Sequence, residues 1–140
     1  MAAVIEQTGR FLLVEEETDE GLRYNQPAGH LDPGESLVAA VRRETVEETA
    51  HAFEPHALIG VYHHQVPPSG PTYIRFAFCG ALGKHYENRS LDAGIVRTVW
   101  MTVDELRGST AHHRTPLVLR CVEDYLAGCR YPLDLLRGPA

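Results

Sequence analysis

The sequence predicts an α/β sandwich of mixed α+β character. Three observations carry this. Runs rich in β-branched and aromatic residues lie on both sides of one central helical stretch, a second helical pattern closes the chain, and Gly/Pro clusters separate the runs. At 140 residues the chain is one domain's worth, so a single domain over 1–140 with one good core is expected. A hydrophobic content of 44% and a charged content of 23% place it among ordinary soluble globular proteins.

Taken in order, Ala2–Glu6 and Phe11–Glu15 read as a hairpin around Gln7-Thr8-Gly9-Arg10. The unbroken apolar run Phe11–Val14 makes its second strand central. Glu15 to Gly21 is acidic and without period, and reads as a surface loop. Tyr24 to Gly29 is an irregular approach, since Pro27 and Gly29 oppose a helix. Asp32-Pro33-Gly34 signals a turn, and Ser36 caps the central helix. Ala57–Val66 and Thr72–Leu82 form a second hairpin with a stiff Pro-rich loop. Gly83–Asp92 reads as a polar loop and Ile95–Met101 as a further strand. Thr102 and Glu105 form a capping box for a short helix reaching about Arg107. Pro116 opens the last helix, whose apolar face is Leu117, Val118, Cys121, Val122 and Tyr125, and Gly128 ends it.

The chemistry concentrates between Gly29 and His51. On a helical wheel Glu44, Glu48 and Glu47 fall near about 0°, 40° and 300°, with Leu37 near about 20° and Val41 near about 60°. The core-facing stripe therefore turns acidic part-way along. Partly buried like charges are costly unless a cation meets them, and the stretch holds no Lys and only Arg42 and Arg43. The simplest counter-charge is a divalent metal, and several hard oxygen donors suit Mg²⁺ or Mn²⁺. The competing reading is a solvated acidic helix face.

Gly29, five residues, Glu35, seven residues, Arg43-Glu44, two residues, Glu47-Glu48: this spacing resembles the Nudix box. The pattern departs at its end, where Ala50 stands for the usual Gly, and Thr45 and His51 for aliphatics. The stretches NQPAGHLD, YIRFAF, RTPLV and RYPLDLL are similar to one bacterial subgroup of this family. Its members are Nudix phosphatases acting on hydroxymethylpyrimidine pyrophosphate, thiamine pyrophosphate and nucleoside di- and triphosphates. The resemblance implies the Nudix fold, a mixed sheet between helices. It implies a Mg²⁺-dependent hydrolase of phosphoanhydride bonds that releases orthophosphate. It implies Glu44, Glu47, Glu48 and the Gly29 carbonyl as metal ligands, with one glutamate doubling as base. It implies Arg43 as the residue holding the carboxylates and Glu35 behind them. Glu87 and Asp92 are alternative bases.

Arg23, Tyr24 and Arg75 are the substrate-side candidates. Strand alternation puts Tyr73, Arg75 and Ala77 on one face and Ile74, Phe76 and Phe78 on the other, so Arg75 either overlooks an anionic substrate or is merely solvated. His63 and His64 point to opposite faces, one packed and one exposed. His112-His113-Arg114 precedes the last helix, whose N-terminus could receive a phosphate, but a plain loop is the preferred reading. Cys79, Cys121 and Cys129 show no metal spacing, which points to a reduced, cytoplasmic setting. No apolar run is long enough for a membrane span and the opening residues show no basic-then-apolar signal-peptide pattern, so no membrane partner is expected. A net charge of −6 argues against sequence-independent nucleic-acid binding, although metals can make the site locally positive. The expected partner is a small phosphoanhydride, and the protein a monomer or homodimer. Two alternatives stand: a Nudix pyrophosphohydrolase of another substrate class, such as a dinucleoside polyphosphate or nucleotide sugar, and a non-catalytic nucleotide-binding module.

Overall fold

The computed structural model describes residues 1–139. Its elements are β1 (Ala2–Val4), β2 (Glu6–Gln7), β3 (Arg10–Thr18), β4 (Gly21–Asn25), α1 (Leu37–Thr49), β5 (His51–Gln65), β6 (Thr72–His85), β7 (Ile95–Thr102), α2 (Val103–Gly108) and α3 (Leu117–Leu126). One sheet runs β1-β6-β5, with β1 parallel to β6 and β6 antiparallel to β5. In the other, β3 pairs antiparallel with β7 along one edge and with β2 and then β4 along the other. Among the described residues no helix is long and apolar enough to cross a membrane.

Successive residues of the inner strands feed two different cores. Val4, Phe11, Leu13, Ile59, Ala77 and Cys79 pack with Leu106 of α2 and Val118, Cys121 and Val122 of α3. Ala3, Ile5, Leu12, Leu58 and Phe78 pack with Val41 of α1. This is why Phe11–Val14 is apolar without alternation: both of its faces are covered. Burying a side chain of this size contributes about 1.5–3 kcal/mol. The layers are therefore α1, mixed sheets, and α2 with α3, an α/β sandwich as the pattern of runs predicts.

Four local expectations are corrected. The first strand divides: Ala2–Val4 leaves the hairpin to pair with β6, and only Glu6 and Gln7 pair with Phe11 and Arg10. The turn sits at Thr8 and Gly9, both at positive φ (51° and 78°), the twist a two-residue hairpin requires. The acidic stretch after Val14 is strand, not loop. β3 runs to Thr18 and turns back into β4 because Glu15 lies opposite Arg97 on β7, 3.1 Å away, and Glu16 pairs in register with Arg23. β5 begins at His51 rather than Ala57. Pro55 is tolerated there because the register slips between Pro55 and Ala57. β6 likewise continues to His85.

The helices start and stop on local chemistry. The Ser36 hydroxyl accepts the Ala39 N–H, and Ala50 takes φ 56° at the α1 exit, the left-handed position that Gly usually fills. Thr102 and Glu105 form the full capping box of α2.

Candidate active site

Glu44 and Glu48 are each only 8% exposed, because they share their stripe of α1 with Val41. Glu47 is half-buried at the edge of that stripe. The segment before β7 folds over the end of α1, where the Asp92 N–H donates to the Glu47 main-chain carbonyl at 2.9 Å. Carboxylate oxygens of Glu44, Glu47 and Asp92 consequently lie within 4.8 Å of one another.

Arg43 supports this cluster. Its Nη1 donates to Glu44 Oε1 at 2.8 Å and Glu47 Oε2 at 3.1 Å. Its other side is fixed by Glu35, which accepts from Nη2 at 2.6 Å and from Nε at 3.1 Å. The His30 carbonyl accepts a further bond from Nη2 at 2.8 Å. The Arg43 hydrogen bonds, helped by the Asp32 N–H, hold the Glu35 carboxyl down at about 2. The same pairing binds the Arg43 proton more tightly than usual.

Glu48 stands apart. Its Oε1 accepts the Ala28 N–H at 2.8 Å, and among the described residues it makes no ion pair. Burial pushes its carboxyl up to about 8 against the pull of that bond, and the charges of Glu16, Glu44 and Asp92 add to the rise. Burial also raises Glu44, opposed by Arg43. Gly29 lies against Glu44 so closely that a Cβ there would overlap the carboxyl group. Its carbonyl accepts a hydrogen bond from the Met1 amino group at 2.7 Å.

Beside this cluster opens a cleft of about 730 Å³, with Ala28 and Gly29 in the shared wall. Arg23, Arg75 and Arg114 line it, as do His64 and Tyr73. His64 is the partly covered member of its pair and His63 the exposed one. Tyr24 lies elsewhere: its side chain packs on the core beneath α3, and its carbonyl accepts the Arg114 N–H at 2.8 Å, which fixes that segment beside the cleft. Arg23 donates to the Leu22 carbonyl at 2.8 Å. Arg75 donates to Gln26 and Asn25, each at 2.8 Å. A second hollow of about 450 Å³, between β5 and α3, is lined by none of the candidate metal- or substrate-binding residues.

Sequence reasoning passed over Glu16, Asn25, Gln26 and Arg114. Glu16 was hidden by the loop reading of its segment, and Arg114 by an unpatterned His-His-Arg run. The available signal was the pair of polar amides, Asn25-Gln26, at the end of a strand that leads directly into the Gly29 stretch.

Comparison with known proteins agrees with this architecture. The model of the NUDIX domain matches residues 1–121. Phosphatase NudJ of Escherichia coli strain K12 is 34% identical over 136 residues, covering 97% of this chain and 88% of that protein. A NUDIX hydrolase from Nitrosomonas europaea superposes with a TM-score of 0.95 at 52% identity, covering 99% of this chain and 94% of that one. An Ap4A hydrolase from C. elegans is similar in fold, with a TM-score of 0.62 at 20% identity over 91% of this chain and 94% of that one. The matched domain and the near-full-length relative share the whole scaffold that carries Gly29 to Glu48, and the chain belongs to the NUDIX family, as a Nudix hydrolase.

Proposed function

We propose that this chain, as one domain over residues 1–140, is a divalent-metal-dependent phosphatase of phosphoanhydrides. Its substrates are nucleoside di- or triphosphates or thiamine-pathway pyrophosphates, and its product is orthophosphate. The observation that carries the reading is the convergence of Glu44, Glu47 and Asp92 within 4.8 Å, beside buried Glu48 and next to a cleft lined by three arginines. The similarity to Phosphatase NudJ supports the orthophosphate-releasing class.

The donor set fits Mg²⁺ or Mn²⁺. It consists of hard carboxylate oxygens, two of them on glutamates whose burial makes an uncompensated charge unfavourable. Glu44, Glu47, Glu48 and the Gly29 carbonyl would hold the ion, with Asp92 joining them or acting on water. When bound, a divalent cation supplies Lewis acidity toward phosphoryl oxygens and a counter-charge for the departing phosphate. The chain supplies the rest. Arg43, clamped by Glu35, keeps the Glu44 and Glu47 carboxylates aimed together. Arg23, Arg75 and Arg114 bind and orient the anionic substrate, and their placement converts binding energy into alignment of the scissile bond. The Asp92 carboxylate accepts no hydrogen bond among the described residues, so it is free for either of these roles. Glu87 lies in the exposed turn after β6 and is not part of the cluster.

A phosphate-release panel of nucleoside di- and triphosphates and thiamine pyrophosphate, run with and without Mg²⁺, tests this. Magnesium-dependent orthophosphate is expected. Nucleoside monophosphate with pyrophosphate as the products would reject the phosphatase reading, and inactivity on every substrate would reject the phosphoanhydride reading.

A further inference from the structure

Arg75 is a cation in the cleft wall with no carboxylate in ion-pair distance among the described residues. Its guanidinium donates instead to two neutral amides. Nη1 bonds Gln26 Oε1 and Nη2 bonds Asn25 Oδ1, both at 2.8 Å. A guanidinium has five N–H groups, so this forked grip fixes its plane and leaves donors over.

Both amides are themselves oriented from behind. Gln26 is 1% exposed, and its Nε2 donates to the Val118 carbonyl in the first turn of α3 at 2.7 Å. With its N–H end engaged there, only the oxygen end can face Arg75. Asn25 is 9% exposed, and its Nδ2 donates to Glu16 Oε1 at 3.4 Å. Glu16 in turn accepts from Arg114 Nη1 at 3.3 Å. One hydrogen-bonded line therefore runs from the backbone of α3 through both amides and ties two of the three cleft arginines to the rigid β3–β4 hairpin.

The choice of amides matters chemically. A carboxylate at either position would grip Arg75 through a stronger, charge-assisted bond but would neutralise it. An amide fixes the geometry and leaves the positive charge uncompensated, where a phosphate can use it. We propose that Asn25 and Gln26 are positioning residues that pre-organise Arg75 as an unneutralised, forked phosphate receptor in the cleft. This rests on the reading of the cleft as a phosphoanhydride site.

Asn25→Asp keeps the shape and the acceptor toward Arg75 and adds the neutralising charge, at the cost of the Nδ2 bond to Glu16. For a nucleoside diphosphate, KM is expected to rise about tenfold or more in Asn25→Asp, with a much smaller change in kcat. Titration calorimetry of a methylene-bridged nucleoside diphosphate in EDTA should show the same loss of affinity without any turnover. In an Arg75→Ala background the Asn25→Asp effect should vanish, because its route through Arg75 is gone. If Asn25→Asp does not fold, Gln26→Met, which removes an acceptor without adding charge, must show the same dependence on Arg75. An unchanged KM and affinity in a folded variant, or an effect that persists undiminished without Arg75, overturns the proposal. Wild-type protein that binds the analogue but releases no orthophosphate from any substrate refutes the functional reading instead, and the calorimetry still decides the role of the amides.

Discussion

Arg43 shows how one side chain organises a cluster of like charges. Glu44 and Glu47 repel one another, and Arg43 bridges them through a single nitrogen, Nη1, while its other donors are engaged by Glu35 and the His30 carbonyl. Glu48 receives no such help and keeps its proton up to about pH 8 in the metal-free protein. The native state thus binds this proton more tightly than the unfolded chain, whose ordinary value is 4.5. Stability present below pH 4.5 is then lost as pH rises through 8. Glu48→Gln removes that loss, so in EDTA at about pH 9 the variant should melt at a higher temperature than wild type. Its kcat with Mg²⁺ should fall about 10²-fold, the effect of losing roughly 3 kcal/mol of electrostatic stabilisation. Near wild-type turnover would remove Glu48 from the metal-binding set.

At the scale of elements, the exit of α1 carries a conformational cost. Ala50 sits at φ 56°, a region that costs a residue with a Cβ about 1–2 kcal/mol. Ala50→Gly relieves this and loses part of the gain to greater freedom in the unfolded chain. A net stabilisation of about 0.5–1 kcal/mol is expected, visible as a higher urea midpoint at unchanged m. A lower midpoint would mean that the packing of the Ala50 methyl outweighs its backbone strain. The segment between α2 and α3 has its own sensor. His113 is 8% exposed, its Nε2 lies 3.1 Å from the Ser109 hydroxyl, and burial holds it below its ordinary 6.5, with His112 adding to the effect. The unfolded chain therefore binds the proton more readily, and stability present above pH 6.5 is lost as the pH falls below that value. Thermal melts from pH 8 to 5 should show a shallower decline for His113→Gln than for wild type. Parallel curves would assign the acid sensitivity to other histidines.

At the scale of the molecule, the two cores lock α1 onto one side of the sheets and α3 onto the other. The acidic face of α1 and the cleft arginines are thereby set on a common frame, so ligand binding should stabilise the whole chain. A cation that binds only the native state stabilises it by about 2.7 kcal/mol at one hundred times its dissociation constant. Adding Mg²⁺ to EDTA-treated protein should raise the thermal midpoint by several degrees and restore activity, and both responses should disappear in Glu44→Gln/Glu47→Gln. Full turnover in chelator, or an equal thermal shift in the double variant, would sink the metal mechanism.

Much of this was legible in the chain because it is governed by local rules. The Glu44–Glu48 stripe follows from helical periodicity, the caps at Ser36 and Thr102 from short-range hydrogen bonds, and the double burial of Phe11–Val14 from an unbroken apolar run. The Gly29–Glu48 spacing was sufficient to suggest the family that comparison bears out. Other features depended on partners distant in sequence. The acidic residues of β3 are strand because Arg97, far along the chain, lies opposite Glu15. Val4 and Ala2 join β6 rather than the hairpin because the parallel edge of that sheet was open to them. Asp92 reaches Glu47, Arg114 reaches Glu16, and Arg75 finds Asn25 and Gln26 only once the sheets have assembled. A sequence displays the residues that must avoid water and the short-range bonds that start and stop helices. Which distant charge faces which amide is decided by packing, because those pairings are made by the backbone frame and not by neighbours along the chain.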